Sequence, residues 1–145
     1  MSTAFLSCIT SFITVLLIGC HGARPTNLGL HEGKLAACPT SPNCVSSQAT
    51  DEEHRIAPLP FTRSREDALA KLKVILGTLP RTAIIAETNS YLHVECTSLL
   101  FRFVDDLEFL VDDKTRVVHV RSASRLGKGD LGVNRKRIET IRKQW

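Results

Sequence analysis

From Thr82 to Ser122 the chain is a succession of short runs in which apolar side chains recur at every second residue, separated by turn residues. A period of two belongs to a strand with one face on a core, and runs this close together pair as antiparallel neighbours, because a parallel crossover needs a dozen or more residues. Four strands follow: Thr82–Thr88, Tyr91–Thr97, a third within Phe101–Val111 and a fourth over about Arg116–Ser122, with turns at Asn89-Ser90 and Asp112-Asp113-Lys114. In the second run Leu92, Val94 and Cys96 share one face, and His93 and Glu95 the other. The third run contains a conflict, since Phe101, Phe103, Leu107, Phe109 and Val111 share one parity and Asp105 shares it too. Either a bulge near Asp105-Asp106 re-phases the strand, or Asp105 is buried and paired, because an isolated buried carboxylate is too costly to keep its charge. A hairpin centred on Asp112–Lys114 sets residues near 105 opposite residues near 121, so Asp105 and Asp106 are expected to meet Arg121 and Arg125.

A helix flanks the sheet on each side in sequence. Ser64 is a natural N-cap, Glu66 and Asp67 occupy the first turn where the helix dipole favours acids, and Ala68, Leu69, Leu72, Ile75, Leu76 and Leu79 fall at helical spacing before Gly77 and Pro80 stop the run. A terminal helix begins at Asp130, with Leu131, Asn134, Ile138, Ile141 and Trp145 along one stripe. A length of 145 residues suits one domain with its own core. The expected architecture is therefore α+β: a single domain in which an antiparallel meander of about four strands carries both helices on one face. Ahead of the first helix, His54 to Leu59 reads as a short edge strand or extended lead-in ended by Pro58 and Pro60.

The N-terminus is uncharged from Met1 to Gly19 and apolar through Phe5, Leu6, Ile9, Phe12, Ile13 and Val15 to Ile18, a core of signal-peptide length that is short for a bilayer span. It ends in Leu17-Ile18-Gly19-Cys20, which resembles the lipobox of bacterial lipoproteins, although no Lys or Arg precedes the apolar core. The resemblance implies cleavage after Gly19 (signal peptide 1–19), acylation of Cys20, and a mature chain held at the membrane in the cell envelope; His21, in place of the Asp that retains enteric lipoproteins at the inner membrane, points to the periplasmic face of an outer membrane. Residues 20–37, with Gly22, Pro25, Gly29 and Gly33, read as a tether with a reach of roughly 20–25 Å, and 38–145 as the domain.

An oxidising compartment makes a disulfide of Cys38 and Cys44 the favoured pairing, across a loop containing Pro39 and Pro42; a pairing of either with Cys96 is the alternative. The cysteine and histidine spacings match no zinc motif, Ser46 and Ser47 lack a nucleophile-elbow context, and no metal or cofactor is implied.

Charge is unevenly placed. From Arg116 onward nine Lys or Arg face two acids, giving +7, whereas the preceding residues hold ten bases and thirteen acids, giving −3; the two sum to the net +4. Such asymmetry marks a basic surface region. Nucleic acid is not the expected partner, since no aromatic platform accompanies the bases. Gly127, Gly129 and Gly132 with the arginines have the makings of an anion pocket of backbone N–H groups and guanidinium forks, though the spacing is neither a P-loop nor a dinucleotide fingerprint. The candidate ligand residues are Asp105, Asp106, Arg121, Ser122, Ser124, Arg125, Asn134 and Arg135.

Three blocks, CPTSPNCVSSQA at Cys38–Ala49, FVDDLEF at Phe103–Phe109 and VRSASRLGKGDLGVNRKRIETIR at Val120–Arg142, resemble in order the signature blocks of the domain-of-unknown-function family numbered 1499. The resemblance implies the domain boundary and the choice of site but no activity. The expected role is a lipid-anchored envelope protein binding an anionic small molecule or an envelope protein through Arg121–Arg137. The competing expectation is a hydrolase or transferase with Asp105 or Asp106 as general base or metal ligand and the arginines stabilising developing negative charge, and whether the chain is an enzyme stays open.

Overall fold

The computed structural model describes residues 21–145, so the apolar segment and Cys20 lie outside the described residues. Eight strands and two helices follow in the order β1 (Leu30–His31), β2 (Lys34–Leu35), β3 (Cys44–Ser46), β4 (Leu59–Pro60), α1 (Arg65–Thr78), β5 (Thr82–Glu87), β6 (Tyr91–Thr97), β7 (Val104–Asp112), β8 (Val117–Ser124) and α2 (Val133–Gln144). The main sheet runs β3-β8-β7-β6-β5, with β4 pairing the opposite half of β8, and all these strand pairs are antiparallel. The α+β single domain and its meander are therefore present, and the meander is widened on the β8 side by β3 and β4.

One face of the sheet is the core. Val45, Leu92, Val94, Leu107, Phe109, Val111, Val118 and Val120 meet Leu69, Leu72, Ile75 and Leu76 of α1 and Ile138 and Ile141 of α2, so both helices cover the same face. α1 starts where capping chemistry requires: the Ser64 side chain accepts from the Asp67 amide at 3.1 Å and Asp67 reaches back to the Ser64 amide, a reciprocal capping box. α2 starts at Val133, three residues after Asp130, with Gly132 at its cap in the left-handed conformation that glycine adopts without steric cost. Asp130 still supplies the capping oxygens, taking the Gly132 and Asn134 amides at 2.9 and 2.8 Å. Leu131, expected on the buried stripe, precedes the helix and is fully exposed.

Three further expectations are corrected and one open alternative, the bulge, is decided. The third strand begins at Val104, and Phe101 and Phe103 lie in the exposed loop before it; their parity with the core residues ends where the chain leaves the ladder. The β7–β8 register sets Asp105 against Ser124 and Glu108 against Arg121, three residues from the expected match, because the connecting turn spans Asp113–Arg116 with Arg116 in the left-handed region and is not centred on Asp113. No bulge re-phases β7; the ladder is continuous through Asp105 and Asp106. The segment read as a free tether, finally, lies on the sheet: Arg24 bonds Glu95, the Gly29 amide bonds Glu108, and Leu35 is buried with Tyr91 and Leu110. Its β1–β2 hairpin turns through Glu32 and Gly33, both at positive φ, as the tightest hairpin turn requires.

Cys38 and Cys44 form the disulfide, and Cys96 is a free, buried thiol whose pKa burial pushes up. The alternative pairings through Cys96 are excluded by its place in β6 on the helix-covered face.

Candidate functional site

The alternation that buries apolar residues beneath the helices places a second set of side chains on the opposite face. Glu95, Asp106 and Ala123 form one row across β6, β7 and β8, His93, Glu108 and Arg121 the next, and Tyr91, Leu110 and His119 the third. This face is polar yet buried: His93, Asp106, Glu108 and Arg121 are each under a tenth exposed. The strip formed by residues 24–35 provides the cover.

Two linked clusters result. In the first, Asp106 accepts from His93 Nε2 at 2.8 Å and from Arg125 Nε and Nη2 at 2.8 and 2.7 Å, and Arg125 also bonds Glu95, which Arg24 holds from the strip at 2.7 Å. Burial pushes the Asp106 and Glu95 carboxyls up, but the hydrogen bonds and charges of Arg125 with His93, and of Arg125 with Arg24, outweigh it and hold both below their ordinary values. In the second, Glu108 is fully buried and accepts from Tyr91 Oη at 2.8 Å, from the Gly29 amide at 2.8 Å and from Arg121 Nη1 at 3.0 Å. Burial, then that hydrogen bond to Glu108, raises the Tyr91 phenol and keeps it protonated. Arg121 Nε is the buried side-chain donor among the described residues that lacks a partner.

A third cluster joins α2 to the core face. Arg137 Nη2 reaches Asp105 at 2.6 Å and Arg137 Nη1 reaches Asn134 Oδ1 at 2.8 Å. Asn134, with no exposed surface, also accepts from Ser122 Oγ at 2.5 Å and donates to the Asn43 carbonyl at 3.1 Å and Ser124 Oγ at 3.0 Å, so all its amide capacity is used. A saturated buried amide of this kind fixes register, since any shift of α2 along the sheet would leave donors or acceptors unpaired.

The eight expected site residues are thus divided. Asp105, Ser122 and Ser124 face α2, to which Asn134 belongs, Asp106, Arg121 and Arg125 face the strip, and Arg135 belongs to neither cluster, donating instead to the backbone carbonyls of Glu53 and Arg55. The acids do meet arginines: Asp106 pairs with Arg125 as expected, whereas Asp105 pairs with Arg137 and Arg121 with Glu108. Sequence reasoning missed Tyr91, Glu108 and Arg137 as members. The parity of β6 and β7 carried a signal, because Glu95, Asp106 and Glu108 all fall on the non-core face, where a solvent-facing reading was natural.

The family-model comparison matches residues 34–145 to the family described as protein of unknown function (DUF1499). The chain belongs to that family. No curated protein matches the chain. The match begins at Lys34, inside the β1–β2 hairpin, so the family segment of this DUF1499 chain includes Leu35 and everything from the disulfide loop onward.

Two further constellations in this DUF1499 chain have the residue types of catalysis without its freedom. His93, Glu95 and Asp106 present ligand atoms within 4.8 Å of one another, but the Arg125 guanidinium bonds both carboxylates and occupies the cationic position. Ser47 Oγ lies 3.2 Å from His119 Nδ1 and Asp112 lies 3.9 Å from His119 Nε2. Ser47 Oγ, however, accepts the Val120 amide at 2.9 Å while the Ser47 amide donates to the Val120 carbonyl, so this serine extends the β3–β8 ladder. Asp112 is taken up by the Lys114 amide and the Thr115 hydroxyl of the hairpin turn.

Proposed function

We propose that this protein is a lipid-anchored cell-envelope protein that binds a small anionic ligand beside Arg121, beneath the strip. The observation that carries the reading is the unpartnered, buried Nε of Arg121. A buried guanidinium donor left unpaired costs about 1–3 kcal/mol, which an anionic oxygen recovers on binding. A cavity of about 240 Å³ is lined by Lys34 to Cys38 on the strip side and by Ser46, Gln48 and Asp51, and Ser46 is the cross-strand partner of Arg121. The region named from sequence, Arg121–Arg137, narrows on this reading to its first arginine, because Arg125 is bonded to carboxylates, Arg137 to Asp105 and Asn134, and Arg135 to backbone carbonyls. The hydrolase or transferase alternative has less support, since guanidinium groups hold both Asp105 and Asp106 and neither carboxylate is available as a general base.

Thermal unfolding with inorganic phosphate and with succinate tests the ligand. The midpoint should rise with anion concentration, the rise should vanish in Arg121→Gln and persist in Arg135→Gln, and a native midpoint indifferent to both anions defeats the reading. The anchor is tested separately, by intact mass and membrane fractionation of the native chain and of Cys20→Ala. Acyl mass and membrane retention are expected in the first and not in the second, and identical behaviour of the two rules out acylation at Cys20.

A further inference from the structure

The loop between β6 and β7 presents Leu99, Leu100, Phe101 and Phe103 to solvent at 67%, 80%, 66% and 41% exposure, the largest run of exposed apolar side chains among the described residues. It is a built loop: the Ser98 amide donates to the Phe103 carbonyl at 2.8 Å, the Phe103 amide donates to Ser98 Oγ at 2.9 Å, Arg102 turns through the left-handed region, and the Phe101 and Phe103 rings lie 5.7 Å apart. A closed loop has already given up much of its conformational freedom, so burying its side chains in another phase loses little more.

Its position says which phase. The loop sits at the pole of the sheet where β6 ends and β7 begins, which is also where β8 ends at Ser124. Gly22 packs at that same pole, close enough to Leu126 and Arg125 that a Cβ there would lie 3.0 and 3.1 Å from them. The chain upstream of the described residues, with its uncharged apolar run and Cys20, therefore leaves the domain on the side bearing Leu99–Phe103 and the half-exposed Leu126. Arg81, Arg102 and Lys128 are the exposed charges at this pole, whereas its acids Glu95, Asp105 and Asp106 are engaged by arginines. Apolar and aromatic side chains ringed by bases suit the headgroup boundary of an anionic membrane.

We infer that the Leu99–Phe103 loop is a membrane-docking element that inserts into the acyl boundary of the lipid surface to which the N-terminus is attached, fixing the domain's orientation. The inference rests on the lipid-anchored reading and adds a second contact to it. Trp145 supplies a built-in control, since it bonds the Pro60 carbonyl at the opposite pole, roughly 27 Å away along a nine-residue strand.

The full chain, purified from membranes and reconstituted into phosphatidylethanolamine–phosphatidylglycerol vesicles with acyl-brominated lipid, tests it by tryptophan fluorescence. The native protein should be unquenched, Phe101→Trp should lose about half or more of its added emission, and Leu100→Asp in the Phe101→Trp background should abolish that loss. A vesicle-bound Phe101→Trp protein that bromine does not quench overturns the inference and leaves the anchor standing. An unquenched loop whose emission shifts to the blue with protein concentration identifies a second copy as the occupant and overturns it equally. Intact mass without acyl chains defeats the anchor reading alone; quenching of Phe101→Trp in that protein, removed by Leu100→Asp, still upholds the loop, and its absence sinks both.

Discussion

Arg125 has nearly its whole side chain buried and bonds two carboxylates; without the guanidinium, buried Asp106 would keep only His93 and Glu95 only the half-exposed Arg24. Arg125→Gln should therefore cost about 3–5 kcal/mol in urea unfolding, whereas Arg24→Gln, half-exposed at the rim, should cost no more than about 1 kcal/mol. Equal losses would mean that the Arg125 cluster is solvated. The same cluster sets an acid limit. Because Asp106 and Glu95 titrate below their ordinary values in the fold, their contribution is complete above the unfolded-state values of about 4 and disappears as pH falls through the lower folded values. The urea midpoint of the native protein should hold from neutral pH to about 5 and drop steeply below about 4. That acid slope should be shallower in Arg125→Gln, and parallel slopes would remove the pair from the account.

At the scale of elements, what was legible in the sequence was whatever local chemistry determines. Ser64 and Asp67 mark the start of α1 in the sequence as plainly as in the fold, and Ser64→Ala should lower stability by about 1 kcal/mol, checked by thermal or urea unfolding. β6 was placed to the residue, because its alternation is unbroken between two turns. Register was another matter. A turn of four residues and one centred on three share the same Asp and Lys signals, and the difference is decided by Arg116 adopting positive φ and by Asp112 gathering the turn's donors, neither of which periodicity reveals. A three-residue displacement moves Arg121 from Asp105 to Glu108 and exchanges the face on which it lies. Of the expected acid–arginine contacts only Asp106 with Arg125 formed, and the conflict at Asp105 was resolved by Arg137, a residue of the terminal helix. The disulfide loop was legible from spacing and compartment; reducing Cys38–Cys44 should cost about 2 kcal/mol, measured by unfolding with and without reductant.

Over the whole molecule, the sheet is covered on both faces except along its edge strand β5, which is exposed over most of its length. Helices cover one face and the chain's own residues 24–35 cover the charged one, crossing from Gly22 near Arg125, past Arg24 on Glu95 and Gly29 on Glu108, to Leu35 against Tyr91 and Leu110. The Gly29 amide, bonded to a buried carboxylate, should exchange slowly with deuterium, and Tyr91→Phe should leave it protected, because Arg121 still holds Glu108 in place; fast exchange of Gly29 in the native protein would show the strip to be loose. The direction of this strip has a mechanical consequence. A pull applied at residue 21 acts along the strip's length, so its bonds to Glu95 and Glu108 and the seat of Leu35 bear load side by side, in shear, and cannot be peeled open one after another. Single-molecule stretching from that end should show the strip resisting and then releasing in one step, where sequential small yields would indicate that the bonds carry force in turn. Loaded this way, the strip behaves as a strap fixed along its length and not as a leash tied at one point.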